Sequence, residues 1–170
     1  TSAHASVPWL GENASYLLAK VLQRIGDYEA ERDTTLDIFD HLSNFAIEDV
    51  PSSENIDEII LEIEKENPSL ASTLTALSRM TLTPTIISGG VKSNSVPESI
   101  RLTCDVRTLP HQDLEYVQVQ LAEVLEDIPN VDFKIDYMAI PNSSPFDTDF
   151  VRRIMKATER AIGRNDIRWV

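Results

Sequence analysis

Hydrophobic positions along the chain follow a helical spacing first and a strand spacing later. After a short extended start, apolar residues recur every three or four positions over about residues 12–25, and Gly26 stands where a helix can end. These positions are Leu17, Leu18, Val21, Leu22 and Ile25. The spacing predicts a helix over 12–25.

The next stretch, about residues 27–78, is acidic and contains several short helical patterns. Pro51 and Pro68 separate these patterns, and proline interrupts helices because it lacks a backbone N–H. We therefore predict a helical insertion between the first helix and the strands that follow.

From Met80 onward the hydrophobic period changes to two. Residues 81–91 form one strand candidate, and residues 99–108 form a clearer one in which apolar and polar residues alternate. The connection between them is rich in turn-forming residues, which favours an antiparallel hairpin. Alternation returns over residues 131–139 and predicts a final, half-buried strand.

Two further helices complete the pattern. Asp113 is placed to cap a helix whose apolar stripe ends before Pro129, and a last helix precedes Gly163, a typical terminator. If the extended start counts as a strand, the order predicts an α+β fold: a two-layer βαββαβ sandwich of the ferredoxin-like type. We assign residues 1–140 to this domain and residues 141–170 to a return segment with a helix.

Composition narrows the choice of partners. The chain has 170 residues, with 15 Lys and Arg against 28 Asp and Glu, and a formal charge of −13. Such a surface repels nucleic acids and anionic membranes, so we expect neither as a partner. No apolar run reaches the roughly 20 residues that cross a bilayer.

Cys104 is the single cysteine, which excludes an intrachain disulfide and a cysteine-rich zinc site. It falls on the apolar face of its strand, which favours a buried structural thiol over a nucleophile. This cysteine usage fits a reducing compartment, and we expect a cytoplasmic protein. Because the chain begins at Thr1 without methionine, we also expect it to be part of a longer protein.

Three segments carry motifs with chemical meaning. They are HASVPWLGENA at residues 4–14, SGGVKSNSVPES at 88–99 and CDVRTLP at 104–110. In this order and on this pattern of elements, they resemble the lid, or dimerisation, domain of a family of zinc metallopeptidases and deacylases. That family includes aminoacylase, acetylornithine deacetylase, succinyl-diaminopimelate desuccinylase and glutamate carboxypeptidase. The resemblance extends from about Thr1 to Ile140, apart from the insertion.

The resemblance implies that the parent protein cleaves N-acyl amino acids or short peptides that have a free carboxylate. It also implies two zinc ions in a catalytic domain outside this chain, no metal in this fragment, and a homodimer. The fragment alone is then expected to be inactive, and residues 141–170 would return the chain to the catalytic domain.

Three residues match functional positions of the family. His4 would reach into the active site of the partner subunit and stabilise the negative charge that builds on the scissile carbonyl oxygen. Asn94 and Arg107 would hold the substrate carboxylate, since an arginine fork binds a carboxylate through two hydrogen bonds. Each has a structural alternative: a turn or strand-end residue for His4, a left-handed turn for Asn94, and an ion pair with Asp105 for Arg107.

Other candidate metal groups are weaker. His111 and Asp113 have the spacing of two zinc ligands but lack the family's context, and Asp113 is better explained as a helix cap. An acidic helical pattern carries Asp37, Asp40 and His41, where solvated charge is the usual outcome.

Two other functions stay open on the sequence alone. The chain would serve as a non-enzymatic α+β binding or scaffold module if no catalytic domain accompanies it, because this type of fold supports many functions. Alternatively, the parent would keep the lid but have lost its metal site.

Overall fold

A computed structural model describes residues 3–45, 47, 49–139, 142–145 and 147–165, without the side chains of residues 44 and 45. The helices are α1 (Ala14–Gly26), α2 (Asp37–Asp40), α3 (Ile56–Glu66), α4 (Pro68–Leu77), α5 (Leu114–Val124) and α6 (Asp149–Ile162), with 3₁₀ turns at Pro8–Leu10 and Leu42–Phe45. The strands are β1 (Thr81–Gly89) and β2 (Ile100–Arg107). These elements confirm the predicted α+β class. Both ends of the predicted lid domain, residues 1–2 and 140, lie outside the described residues.

The chain divides into two compact units. One comprises Thr1–Ala30 and Met80–Pro141, and the other comprises Glu31–Arg79 and Asn142–Val170. Each unit has its own group of buried side chains.

The first unit is built on the β1–β2 hairpin. The strands pair antiparallel from Thr81 opposite Arg107 to Gly89 opposite Ile100, with a bulge between Pro84 and Ile86. The predicted hairpin is thus confirmed. Alternate residues of β2 are half-buried and face the two helices of this unit, where Leu102 packs with Val21 and Ile25 of α1 and Val124 of α5. One polar and one apolar sheet face follow directly from the period-two pattern.

Glycine is required where β1 ends. A Cβ atom at Gly89 would lie 2.8 Å from Cγ1 of Ile100 and 2.9 Å from the carbonyl oxygen of Ser99, and Gly90 has a φ of +78°. These two glycines let the backbone leave the hairpin and enter the ten-residue connection that contains Asn94.

The first and last strands of the predicted sandwich are not found among the described residues, which corrects the sequence-based prediction. Within the described residues, the sheet contains β1 and β2 alone. The backbone N–H of Val7 donates to the carbonyl of His4 at 2.9 Å, so the chain turns directly after the bridge between His4 and Ser95.

The segment 131–139 is not a strand. Val131, Ile135 and Met138 pack against the buried groups, whereas Phe133 and Tyr137 are exposed. Contacts therefore recur every four or three residues instead of every two. Alternation describes side chains only, and a strand also needs an adjacent edge with which its backbone can pair.

The insertion forms its own core within the second unit. Fully buried Ile56 of α3 and Leu74 of α4 pack with Phe39 and Leu42. The stretch 27–78, predicted as a helical insertion, contains three helices and a 3₁₀ turn, while its bounds as an insertion into the lid domain stay a prediction.

A charged clasp closes the stem of the insertion. Asp57, in the first turn of α3, accepts a hydrogen bond from Nε of Arg32 at 2.9 Å and another from Nη2 of Arg79. Beside it, the backbone N–H of Asp33 donates to the carbonyl of Ser78 at 2.8 Å. The two chain ends of the insertion are thus held together by one carboxylate and one backbone hydrogen bond.

The clasp changes the acidity of Asp57. Partial burial by itself would raise the pKa of this carboxyl, but the hydrogen bonds and positive charges of Arg79 and Arg32 outweigh it and lower the pKa below its ordinary value. The ionised form is therefore the one that the fold stabilises.

The last helix has ordinary termini. The Thr148 hydroxyl accepts from the backbone N–H of Val151, and Gly163 ends α6 in the left-handed conformation at φ 69°, as the sequence predicts. Among the described residues, no helix combines the length and the apolar character needed to cross a membrane.

Removing the charge of Asp57 should loosen the insertion. We expect Asp57→Asn to lower its opening free energy by about 1 kcal/mol, a value that allows for the solvent screening of a carboxylate that is 47% exposed. Amide hydrogen exchange of α3 and α4 measures this change. Glu62→Gln is the control on the same helix: its pair with Lys65 is exposed, so we expect less than about 0.5 kcal/mol.

The difference in stability between the wild type and Asp57→Asn should also depend on pH. Because the folded pKa of Asp57 is lowered from 3.8, its contribution is complete above that pH and is lost as the pH falls through the folded value. Wild type and Asp57→Asn should therefore converge in urea stability at acid pH. A difference that persisted there would mean that the clasp is not the cause.

Candidate functional site

Two of the three motif segments lie side by side in the first unit. The backbone N–H of Ala5 donates to the carbonyl of Asn94 at 2.9 Å, and the N–H of Val96 donates to the carbonyl of Ala3 at 2.8 Å. Between these two bonds, His4 stands opposite Ser95 in an antiparallel bridge. The histidine motif and the asparagine motif, 90 positions apart in sequence, thereby become one structural element.

This element is attached to the core. Val96 is buried, and the backbone N–H of Ala14, the first residue of α1, donates to the carbonyl of Pro97 at 3.0 Å. The side chain of Asn13 accepts from the N–H of Ser15 at 2.9 Å and caps the helix. The start of α1 and the connection between the strands therefore support each other.

The imidazole of His4 is exposed and is held from one side. Its Nδ1 lies 3.2 Å from the backbone nitrogen of Ser6 and 2.8 Å from the Ser6 hydroxyl oxygen. The predicted alternative for His4, a turn or strand-end residue, describes its backbone, since it begins a turn and forms a bridge. The side chain nevertheless keeps Nε2 directed away from these contacts.

The side chain of Asn94 is exposed, and its backbone carbonyl accepts the hydrogen bond from the N–H of Ala5. It does not adopt the left-handed conformation proposed as its structural alternative: among the described non-glycine residues, positive φ occurs at Asp127 and Asn130. Gly90 makes the left-handed bend in this connection instead. Left-handed geometry is therefore not the reason for asparagine at position 94, which lies in a turn closed by the hydrogen bond from the Ser95 N–H to the Lys92 carbonyl at 3.2 Å.

Arg107 lies elsewhere. It ends β2, whereas the connection that carries Asn94 precedes Ile100, and these two ends of β2 are about 23 Å apart along the strand. Its Nε donates to Oδ1 of Asp105 at 2.6 Å and its Nη2 to Oδ2 at 3.0 Å, so the predicted ion pair is observed. The pair occupies one edge of the guanidinium group and leaves Nη1, with the second N–H of Nη2, for another acceptor.

An apolar surface follows His4 in sequence. The 3₁₀ turn Pro8–Leu10 exposes Trp9 and Leu10, at 76% and 68% of their areas. Sequence reasoning did not single out these residues or the contact of Ser6 with His4. The signal for Ser6 was its place two residues after the histidine, where a turn brings the N–H back to the side chain of the first residue.

Within the described ranges, no cluster of three His, Cys, Asp or Glu side chains has the geometry of a metal site. Asp113 accepts from the backbone N–H of Tyr116 at 3.0 Å, which confirms its assignment as the cap of α5. The side chains that the structure describes therefore do not fit a zinc ion.

Cys104 is half-buried and packs beside the α1–α5 core on the inner face of β2. Burial raises the pKa of its thiol above the ordinary value of 9.0. At neutral pH the group is therefore a thiol, as expected for a structural cysteine.

Comparison with known proteins gives consistent matches. Residues 1–132 match the family described as peptidase dimerisation domain. Similar proteins include probable succinyl-diaminopimelate desuccinylases of Staphylococcus aureus: that of strain Mu50 is 26% identical over 135 residues, 79% of this chain and 30% of the relative. That of strain MRSA252 is 23% identical over 168 residues, 98% of this chain and 38% of the relative.

A solved structure shares the fold. An M20 family metallo-carboxypeptidase from Sulfolobus solfataricus superposes with a TM-score of 0.55 over 96% of this chain and 40% of that protein, at 16% identity. The chain thus spans well under half the length of the relatives that it matches.

Cys104 should react slowly while the protein is folded. Because burial raises its pKa, we expect alkylation by iodoacetamide at neutral pH to be at least about tenfold slower than in urea. Mass spectrometry measures the rate of alkylation without ambiguity, since Cys104 is the single cysteine. Equal rates in the folded and unfolded protein would contradict the structural role.

Proposed function

Since this chain belongs to the peptidase dimerisation domain family, we propose that it is the lid and dimerisation domain of a zinc-dependent amidohydrolase. The parent enzyme would cleave N-acyl amino acids or short peptides that have a free carboxylate. The observation that carries the proposal is the pairing of residues 3–5 with 94–96, because it joins the two motif segments that carry His4 and Asn94.

The names of the relatives support the choice of substrate. The similar Staphylococcus aureus proteins are named as probable succinyl-diaminopimelate desuccinylases, and removal of a succinyl group from an amine is amide hydrolysis. Such a substrate carries the scissile amide and free carboxylates in one small molecule. The active site must then provide a donor for the amide oxygen and cations or amides for the carboxylates.

His4 would act on the scissile carbonyl. Its Nδ1 is engaged by Ser6, so an N–H at Nε2 is the donor that the ring offers to the oxygen on which negative charge develops. Zinc, bound by residues outside this chain, would supply an activated water. His4 would be an electrostatic group and not a metal ligand.

The substrate carboxylate would be held by Asn94 and Arg107, but from different subunits. A small N-acyl amino acid is shorter than the roughly 23 Å that β2 puts between its two ends. One copy would therefore contribute His4 and Asn94 to a site to which the other copy contributes Arg107. This requires a homodimer, which is the arrangement that a dimerisation domain favours. The cytoplasmic location stays a prediction.

Substitution of His4 tests the catalytic role. In the full-length enzyme, we expect His4→Ala to lower kcat roughly a hundredfold and to change KM little, because it removes a donor that acts mainly in the transition state. His111→Ala replaces another exposed histidine of the chain and should leave turnover near the wild-type value. A His4→Ala enzyme with normal kcat would refute the role of His4.

Mixed dimers test the division of the site between subunits. His4→Ala and Arg107→Ala proteins should each be nearly inactive as homodimers. When equal amounts exchange subunits, half of the dimers are mixed and each has one intact site, so about a quarter of wild-type activity should return. No recovery, with exchange verified by mass spectrometry, would mean that each site takes both residues from one chain.

A further inference from the structure

The contact between His4 and Ser6 determines where the imidazole carries its proton. A backbone N–H can donate a hydrogen bond but cannot accept one, and the N–H of Ser6 is directed at Nδ1 of His4 at 3.2 Å. This contact therefore favours an unprotonated Nδ1 in the neutral ring. The proton then lies on Nε2, the nitrogen that faces away from the turn.

The Ser6 hydroxyl strengthens this arrangement. Its oxygen lies 2.8 Å from Nδ1, closer than the backbone nitrogen, and with Nδ1 unprotonated the hydroxyl is the donor of that bond. Two donors from one residue thus converge on the same ring atom. They oppose rotation of the imidazole as well as the exchange of its proton between the two nitrogens.

The backbone around Ser6 is fixed by other bonds. Val7 donates to the carbonyl of His4 at 2.9 Å and closes the turn in which Ser6 is the third residue, while Ala5 donates to Asn94 at 2.9 Å. Ser6 is therefore held against the ring by the same bridge that joins the two motif segments. Its own side chain is exposed, so its substitution does not disturb the core.

We propose that Ser6 is a positioning residue: it selects the Nε2–H tautomer of His4 and fixes the direction of that N–H. This inference rests on the proposed function for its catalytic consequence, but the tautomer itself is a property of this chain. Oxyanion stabilisation depends on a donor that is already oriented, so loss of the hydroxyl should weaken His4 without removing it.

The first experiment examines the ring directly. Long-range ¹H–¹⁵N NMR of this chain, labelled at histidine and measured at about pH 8, reports the protonation of each ring nitrogen. The signals of His4 are identified by their absence in His4→Gln. We expect the Nε2–H tautomer in the wild type and in Ser6→Thr. In Ser6→Ala, where the longer backbone contact alone remains, we expect a partial shift towards the Nδ1–H tautomer.

The second experiment measures the consequence in the full-length enzyme. Ser6→Ala should lower kcat about fivefold, the factor that one hydrogen bond is worth, with KM nearly unchanged, and Ser6→Thr should restore it. Ser53→Ala, another exposed serine, is the matched control and should have no effect. In a His4→Ala background, Ser6→Ala should cause no further loss, because it acts through the ring.

Three results would overturn the proposal: a proton on Nδ1 in the wild type, unchanged ring signals in Ser6→Ala, or an equal loss of kcat from Ser6→Ala with and without His4. Failure of the proposed function looks different. There, His4→Ala itself would leave turnover normal, and the NMR result alone would decide whether Ser6 fixes the ring.

Discussion

The candidate site depends on two backbone hydrogen bonds, which join residues 3–5 to residues 94–96. They bring together segments separated by a helix, an insertion and a strand, and they do so without using a functional side chain. His4, Ser6 and Asn94 are left to interact with a ligand or with one another. Burial of Val96 and the bond from Ala14 to Pro97 connect this short ladder to the core, so its geometry is set by the fold and not by a mobile loop.

The two ends of the insertion are also held together by a small number of contacts. Arg32 and Arg79 lie near its two ends in sequence, and both bind Asp57, so the ends of a long acidic segment are held by a single carboxylate. Most charged groups of the insertion are solvated, whereas its core is made of aliphatic residues such as Ile56 and Leu74. A segment that closes on itself and has its own core can be added between a helix and a strand while the hairpin keeps its register.

Arg107 shows why a sequence spacing does not define a site. It lies thirteen positions after Asn94, yet most of β2 separates the two, and an extended strand gains about 3.3 Å per residue. Its bidentate pair with Asp105 orients the guanidinium group and partly neutralises it. An acceptor from another molecule would meet the remaining edge of the guanidinium group, which is how a second subunit or a substrate can share it with Asp105.

The sequence by itself determined the elements whose cause is local. The helical and period-two patterns predicted α1, the hairpin and the insertion, the caps at Asp113 and Gly163 were visible as residue types, and the motifs indicated the family. Tertiary structure alone decided what requires a distant partner. Residues 131–139 have the alternation of a strand but no paired edge, and the segments of His4 and Asn94, 90 positions apart, are joined by backbone hydrogen bonds between residues 3–5 and 94–96. Backbone groups are the same in every residue, so a local pattern does not show which distant segment a backbone group will pair with.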